Sequence, residues 1–66
     1  MQMRFPSNLQ KKRQSLGVSQ VKFAEDLGLT RSMVASYEQG IAEPTLCNLI
    51  KMANYLNVTV DELIRK

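Results

Sequence analysis

SQVKFAEDLGLTRSMVASYEQG, residues 19–40, is the stretch that decides the fold of this 66-residue chain. Apolar side chains recur in it every three to four positions, which predicts two helices, over residues 20–27 and 31–39. A serine or a threonine precedes each predicted helix, as an N-cap requires, and Gly28 suits the left-handed position after a helix. A short glycine-containing turn between two helices is the helix-turn-helix arrangement.

The geometry of this turn requires particular residue types. A small residue is needed where the two helices cross, and the sequence has Ala24 there. Gly28 tolerates a positive φ, Leu29 fills the space under the turn, and Val34 packs back toward Ala24. The predicted buried side is completed by Phe23, Leu27 and Tyr37.

Three further helices are predicted, over residues 7–16, 45–55 and 60–65. The first and the last are expected to begin with capping boxes, in which two side chains satisfy free backbone N–H groups. The boxes are Ser7–Gln10 and Thr59–Glu62. Together these elements predict an all-α fold: one compact five-helix domain that comprises all 66 residues.

Apolar residues recur along the fourth helix at helical spacing, which predicts a buried face. That face consists of Leu46, Leu49, Ile50, Ala53 and Leu56. We interpret Cys47, which lies among them, as a packed thiol rather than a redox switch.

Composition argues against most other functional classes. With one Cys and no His, the chain can form neither an internal disulfide nor a zinc site, and it lacks the commonest general base. We therefore expect no enzyme, no catalytic residue, no metal, no cofactor and no small-molecule ligand. No apolar run approaches the roughly 20 residues of a membrane span, and no secretion signal is evident, so a cytoplasmic location is expected.

Charge is distributed unevenly along the chain. Residues 1–22 carry five basic and no acidic residues, whereas residues 23–66 carry four basic and six acidic residues. This distribution is typical of a protein that meets a polyanion on one side. A solvated helix face explains the charge alone equally well.

The outer face of the third helix fits contact with base pairs. With Val34, Tyr37 and Glu38 turned inward, the remaining side chains on that face are short or hydrogen-bonding, and none is acidic. They are Arg31, Ser32, Ala35, Ser36 and Gln39. An arginine reads O6 and N7 of guanine, serines donate or accept, and an alanine contacts the thymine methyl group. An ordinary solvated face is the alternative.

One set of residues spans the two central helices: Ser19-Gln20-(x2)-Phe23-Ala24-(x2)-Leu27-Gly28-Leu29-Thr30-Arg31-Ser32-(x)-Val34-(x)-Ser36-Tyr37-Glu38-(x)-Gly40. A second set follows it: Pro44, Leu46, Leu49, Ala53, Leu56, Val58, Asp61, Glu62 and Leu63. Together they resemble the Xre family of phage-repressor-like helix-turn-helix proteins, over about residues 7–64. The resemblance implies a DNA-binding domain that is usually homodimeric and usually a transcriptional regulator.

The resemblance also implies roles for single residues. Its base-reading positions fall on Arg31, Ser32, Ala35 and Ser36. Relatives use the glutamine that matches Gln20 to hold a phosphate, at a helix N-terminus whose backbone N–H groups suit an anion. For Thr30, a cap that also meets phosphate and a cap alone are both open, and Gln39 is expected to meet the DNA backbone at the far end of the helix.

Arg13 and Glu38 are expected to form an ion pair. Arg13 lies on the apolar face of the first helix, and Glu38 lies on the inner side of the third. An isolated charge is costly in either place, and relatives pair the matching positions. We therefore predict a structural role for both residues.

A homodimer would place two third helices about 34 Å apart on a pseudo-palindromic operator in double-stranded DNA. The predicted seam is the fifth helix and the end of the fourth. Its candidate residues are Tyr55, Val58, Val60 and Ile64, which have core positions as their alternative.

The loop Ile41-Ala42-Glu43 departs from the family pattern, because many relatives carry Lys or Arg there. An acidic side chain near a phosphate repels it, so we expect modest non-specific affinity and a shallow salt dependence.

The leading hypothesis is a small transcriptional regulator, most simply a repressor. An antitoxin or a restriction-modification controller is the alternative within the same class. A protein-interaction module that has lost DNA binding is the alternative outside it.

Overall fold

The structure is a computed structural model, and it describes residues 4–65. It has five α-helices and, within those residues, no strand. The helices are α1 (Phe5–Ser15), α2 (Gln20–Leu27), α3 (Arg31–Gln39), α4 (Leu46–Leu56) and α5 (Val60–Ile64). The predicted all-α five-helix fold is therefore confirmed. In the part of the chain that is described, no helix has the length and apolar character to span a membrane.

Side-chain caps start four of the five helices. In each case the hydroxyl of the N-cap residue accepts a hydrogen bond from the backbone N–H three residues later. The caps are Ser19, Thr30, Thr45 and Thr59. Only the last belongs to a full capping box, because the Glu62 side chain also accepts from the Thr59 N–H at 3.0 Å. That backbone hydrogen bond lowers the pKa of Glu62.

The predicted start of α1 is wrong. The helix begins at Phe5, two residues before the expected Ser7, and Arg4 is an N-cap that makes no side-chain bond. Pro6 lies in the first turn, where a residue without an N–H is tolerated and its fixed φ favours the helix. The expected capping box from Ser7 is therefore absent.

Asn8 instead connects α1 to the end of α5. Its Nδ2 donates to the Leu63 carbonyl oxygen at 3.1 Å and also to the Arg65 carbonyl oxygen. These bonds satisfy carbonyl groups that have no partner within α5.

The apolar face of α4 is narrower than predicted. Leu46 and Ile50 are exposed, and Cys47 is an exposed thiol rather than a packed one. The helix also begins at Leu46, with Thr45 as its cap, and ends at Leu56. Neighbouring helices cover only one side of α4, so helical spacing overstates the width of its contact.

The core lies between the helices as one cluster of buried side chains. Its members are Phe5, Leu9, Phe23, Ala24, Val34, Tyr37, Met52, Ala53, Leu56 and Leu63. Two aromatic pairs cross it edge to face: Phe23 with Tyr55, at 5.1 Å between ring centroids, and Phe5 with Tyr37, at 6.3 Å. This cluster holds α3 by its inner side.

Candidate nucleic-acid interface

The turn between α2 and α3 has the geometry that its sequence predicts. Gly28 adopts φ 72° and ψ 26°, in the left-handed region, and nothing lies where its Cβ would be. The Leu29 N–H donates to the Ala24 carbonyl oxygen at 2.8 Å, which closes a Schellman motif. Ala24 and Val34 are buried and Leu29 is half-buried under the turn. The hydrogen bond that closes the turn and the buried contacts beside it therefore fix the angle between α2 and α3.

α3 presents a clear division between an inner and an outer side. Val34 and Tyr37 are buried, and the Glu38 side chain is only 3% exposed. The outer side carries the five candidate contact residues that belong to α3 itself. Arg31, Ser32 and Gln39 are exposed there, and Ala35 and Ser36 are half-buried.

Arg31 stands at the start of the outer side. Its side chain is exposed, and none of the ion pairs found within residues 4–65 includes it. Thr30 precedes it as the N-cap, and its Oγ1 accepts from the Met33 N–H at 3.1 Å. The guanidinium is thus available to an acceptor outside the chain.

Arg13 and Glu38, which were predicted to pair, lie in direct contact. Arg13 Nε donates to Glu38 Oε2 at 2.6 Å, and Nη2 donates to Oε1 at 3.1 Å. Arg13 Nη1 also donates to the Val18 carbonyl oxygen at 2.6 Å. The bidentate pair joins α1 to the end of α3 in a nearly solvent-free position.

Gln20 has an additional contact that sequence reasoning missed. Its Nε2 donates to Glu38 Oε1 at 3.0 Å, so the carboxylate of Glu38 holds side chains from both α1 and α2. One amide hydrogen of Gln20 is used in this bond and the second remains for another acceptor. Helical periodicity gives no signal for this contact, because it depends on how the two helices cross.

The basic residues of the N-terminal third do not all lie near α3. Lys11 and Lys12 line a shallow depression between α1 and α5, together with Glu62 and Arg65. Lys22 Nζ lies 3.2 Å from Asp26 Oδ1, within α2. The basic residues that are concentrated in the N-terminal third of the sequence therefore do not form a single basic surface.

The four candidate seam residues are half-buried and pack against the core: Tyr55, Val58, Val60 and Ile64. Tyr55 is also held by its hydroxyl, which donates to Asp26 Oδ2 at 2.5 Å. This bond is the main cause of the lowered pKa of Asp26 and of the raised pKa of Tyr55.

The loop after α3 is fixed at its first residues. A second Schellman motif ends the helix, in which the Ile41 N–H donates to the Ser36 carbonyl oxygen at 2.9 Å. The Ile41 side chain is 73% exposed, and Glu43 is exposed further along the loop. The acidic group that departs from the family pattern is thus on the surface.

Comparison with known proteins agrees with this geometry. The chain is 44% identical over 61 residues to the SPbeta prophage-derived HTH-type transcriptional regulator YonR of Bacillus subtilis, and the match covers 92% of this chain and 56% of YonR. It is 31% identical over 61 residues to the CTXphi transcriptional repressor RstR of Vibrio cholerae, over 92% of this chain and 54% of RstR. The chain thus spans about half the length of these relatives.

A solved structure shows the same fold. The restriction-modification controller protein C.AhdI from Aeromonas hydrophila superposes with a TM-score of 0.85 at 35% identity, over 91% of each chain. The family model described as Helix-turn-helix matches residues 9–63. The predicted family is confirmed: the chain belongs to this helix-turn-helix family.

Proposed function

We propose that this chain binds double-stranded DNA in a sequence-specific manner and regulates transcription, with α3 in the major groove. The observation that carries the proposal is the outer side of α3, which is free of acidic residues and exposed at Arg31 and Ser32. The turn and the Glu38 carboxylate hold the same helix rigidly from inside. A helix held in this way presents its outer side chains to base edges in a fixed order.

The base contacts are assigned by chemistry. Arg31 donates to O6 and N7 of a guanine, Ser32 and Ser36 form hydrogen bonds with base edges, and Ala35 contacts a thymine methyl group. Among these side chains only Arg31 can make a bidentate contact, so it determines specificity most strongly.

Uncharged side chains make the contacts with the DNA backbone. Gln20 offers its remaining amide hydrogen, at the N-terminus of α2 where free backbone N–H groups favour a phosphate. Thr30 and Gln39 lie at the two ends of α3 and meet the flanking phosphates. Such contacts set the orientation of the protein on the duplex without reading sequence.

The regulator acts as a cytoplasmic homodimer on a pseudo-palindromic operator, and it has no enzymatic activity. Two half-sites one helical turn apart match two copies of α3. Repression follows most simply, because a protein that occupies an operator obstructs other proteins there, and RstR is named as a repressor.

A restriction-modification controller is a second candidate function. The likeness to C.AhdI, which extends over 91% of that protein, favours it. Both candidates bind DNA in the same way and differ in the genes beside the operator.

Selection from a pool of random duplexes tests the proposal. We expect enrichment of a pseudo-palindrome whose half-sites are centred about 10 base pairs apart. A pool that shows no enriched sequence, from a folded protein, would instead support a protein-interaction module.

A further inference from the structure

Met33 is an apolar side chain on α3 that the core of the protein does not use. It is 36% exposed, and of the six exposed large apolar side chains found in residues 4–65 it alone lies on α3. It belongs neither to the core cluster nor to the half-buried apolar residues that pack against that cluster. A single exposed apolar side chain needs no partner in general, so its position on the helix decides what it can contact.

Met33 lies in the first turn of α3, where its backbone N–H donates to Thr30 Oγ1 at 3.1 Å. Residues at the start of a recognition helix are the ones that contact base edges. At about 100° per residue, Arg31 and Met33 point about 200° apart around the helix axis, with Ser32 between them. Arg31 and Met33 therefore stand at opposite borders of the outer side.

Each border carries a second residue one turn further along the helix. Ala35 follows Arg31 on one border, and Ser36 follows Met33 on the other. Because the serine side chain is short, it leaves space beside the flexible thioether of Met33. The apolar group that base pairs present in the major groove is the C5-methyl group of thymine. The border with Met33 and Ser36 thus suits a thymine.

We propose that Met33 determines specificity for one thymine in each half-site, by packing its side chain against the C5-methyl group of that base. The proposal rests on the proposed function, because it requires α3 in the major groove. It adds a base contact at a position to which the sequence assigned no role. The thymine lies on a different base pair from the guanine that Arg31 contacts and from the thymine that Ala35 contacts, since those two residues share the opposite border.

Replacement of single thymines by deoxyuridine tests the proposal, because it removes the methyl group and keeps every hydrogen-bonding group of the base. On an operator obtained by selection, we expect one thymine in each half-site at which deoxyuridine weakens binding of the parent protein about fourfold, as the burial of one methyl group predicts. Met33→Ala should lose this effect and bind the thymine and deoxyuridine duplexes equally at that position.

Two matched variants separate recognition from a general loss of apolar surface. Met33→Leu keeps an apolar side chain of similar size and should retain the effect of deoxyuridine. Leu16→Ala removes an apolar side chain that is 51% exposed at the end of α1, and it should bind every duplex as the parent does. Neither site packs against the core, so circular dichroism should show the helix content of the parent in all three variants.

Three outcomes would overturn the proposal. If deoxyuridine weakens binding at no thymine, or if Met33→Ala retains every effect seen with the parent, Met33 reads no methyl group while binding to the operator stands. Effects confined to a thymine beside the guanine of Arg31, and retained by Met33→Ala, would assign the methyl contact to Ala35. If selection yields no operator at all, the proposed function fails and this proposal fails with it.

Discussion

Arg31 is the side chain on which base recognition depends most. We expect Arg31→Ala to lower discrimination at one position of each half-site by about 1–3 kcal/mol, because a bidentate contact with guanine is lost. Lys12→Ala removes the same charge from the α1–α5 side and should change affinity equally for all sequences. Competition binding with duplexes substituted at single positions measures both. Equal loss on every duplex for Arg31→Ala would show that the residue only contacts phosphate.

The Arg13–Glu38 pair should behave as one buried unit. Removing either partner with Arg13→Met or Glu38→Gln should lower the free energy of unfolding by about 3–5 kcal/mol, since the other group is left buried and unpaired. The double variant should be much less destabilised than the sum of the two. Urea denaturation of all four proteins measures this, and strictly additive effects would contradict the assigned role.

At the scale of single residues, helical periodicity indicates which face of a helix a side chain lies on, but not which residues of other helices it contacts. Arg13 and Glu38 could be paired in advance because each is a charge on an apolar face and because the family that the sequence resembles pairs the matching positions. The bond from Gln20 to Glu38 could not, since it depends on the crossing of α2 and α3. Cys47 was misjudged because a helical pattern does not tell how much of a face its neighbours cover.

At the scale of elements, the start of α1 can be tested with two neighbouring substitutions. Asn8→Ala should destabilise the fold by about 1 kcal/mol, because two carbonyl groups at the end of α5 lose their donor. Ser7→Ala should be close to neutral, since Ser7 caps nothing in this structure. Thermal unfolding compares the two. If Ser7→Ala lowered the stability by about 1 kcal/mol, the result would contradict the structure and support the capping box that the sequence predicts.

The contact between α2 and α4 should be sensitive to pH. The Tyr55 hydroxyl lowers the pKa of Asp26, so its contribution to stability is present above the unfolded pKa and is lost as pH falls through the lower folded value. The pKa of Tyr55 is raised in the folded protein. The contribution of Tyr55 to stability is therefore present below its unfolded pKa and is lost as pH rises through the higher folded pKa. Tyr55→Phe should bring the pKa of Asp26 back toward its ordinary range, as NMR titration will show. An unchanged titration would mean that the bond is not populated.

The central elements were predictable because each end carries its own signal. α2 and α3 have the predicted bounds, since a hydroxyl caps each start and a left-handed glycine follows each end. α1 also has a left-handed glycine after its end, Gly17, but it lacks the signal at its start: Pro6 favours an earlier start, and no side chain caps it.

For the molecule as a whole, the distribution of charge predicts weak non-specific binding. Lys11 and Lys12 line the depression between α1 and α5, Lys22 pairs with Asp26, and Glu43 is exposed after α3. Because each phosphate contact contributes about 0.9 to the slope of log K against log salt, we expect a shallow slope on a non-cognate duplex. A salt titration measures it, and a slope typical of six or more contacts would be inconsistent with this surface.

The surface through which two copies of the chain would contact each other was the feature least predictable from the sequence. Apolar residues in α4 and α5 fit a core and a seam equally well until it is known which of them the core uses. The structure packs Tyr55 and Val58 against the core and leaves Leu46 and Ile50 exposed. That distinction requires the relative positions of all five helices.

Methylation interference at guanine N7 tests the central claim most directly, namely that the outer side of α3 reads base edges in the major groove. On an operator obtained by selection, methylation of one guanine in each half-site should abolish binding of the parent protein and leave binding of Arg31→Ala unaffected. Two results would contradict this claim: methylation of no guanine impairs binding, or the variant shows the same interference as the parent. In either case Arg31 on α3 does not contact guanine N7 in the major groove.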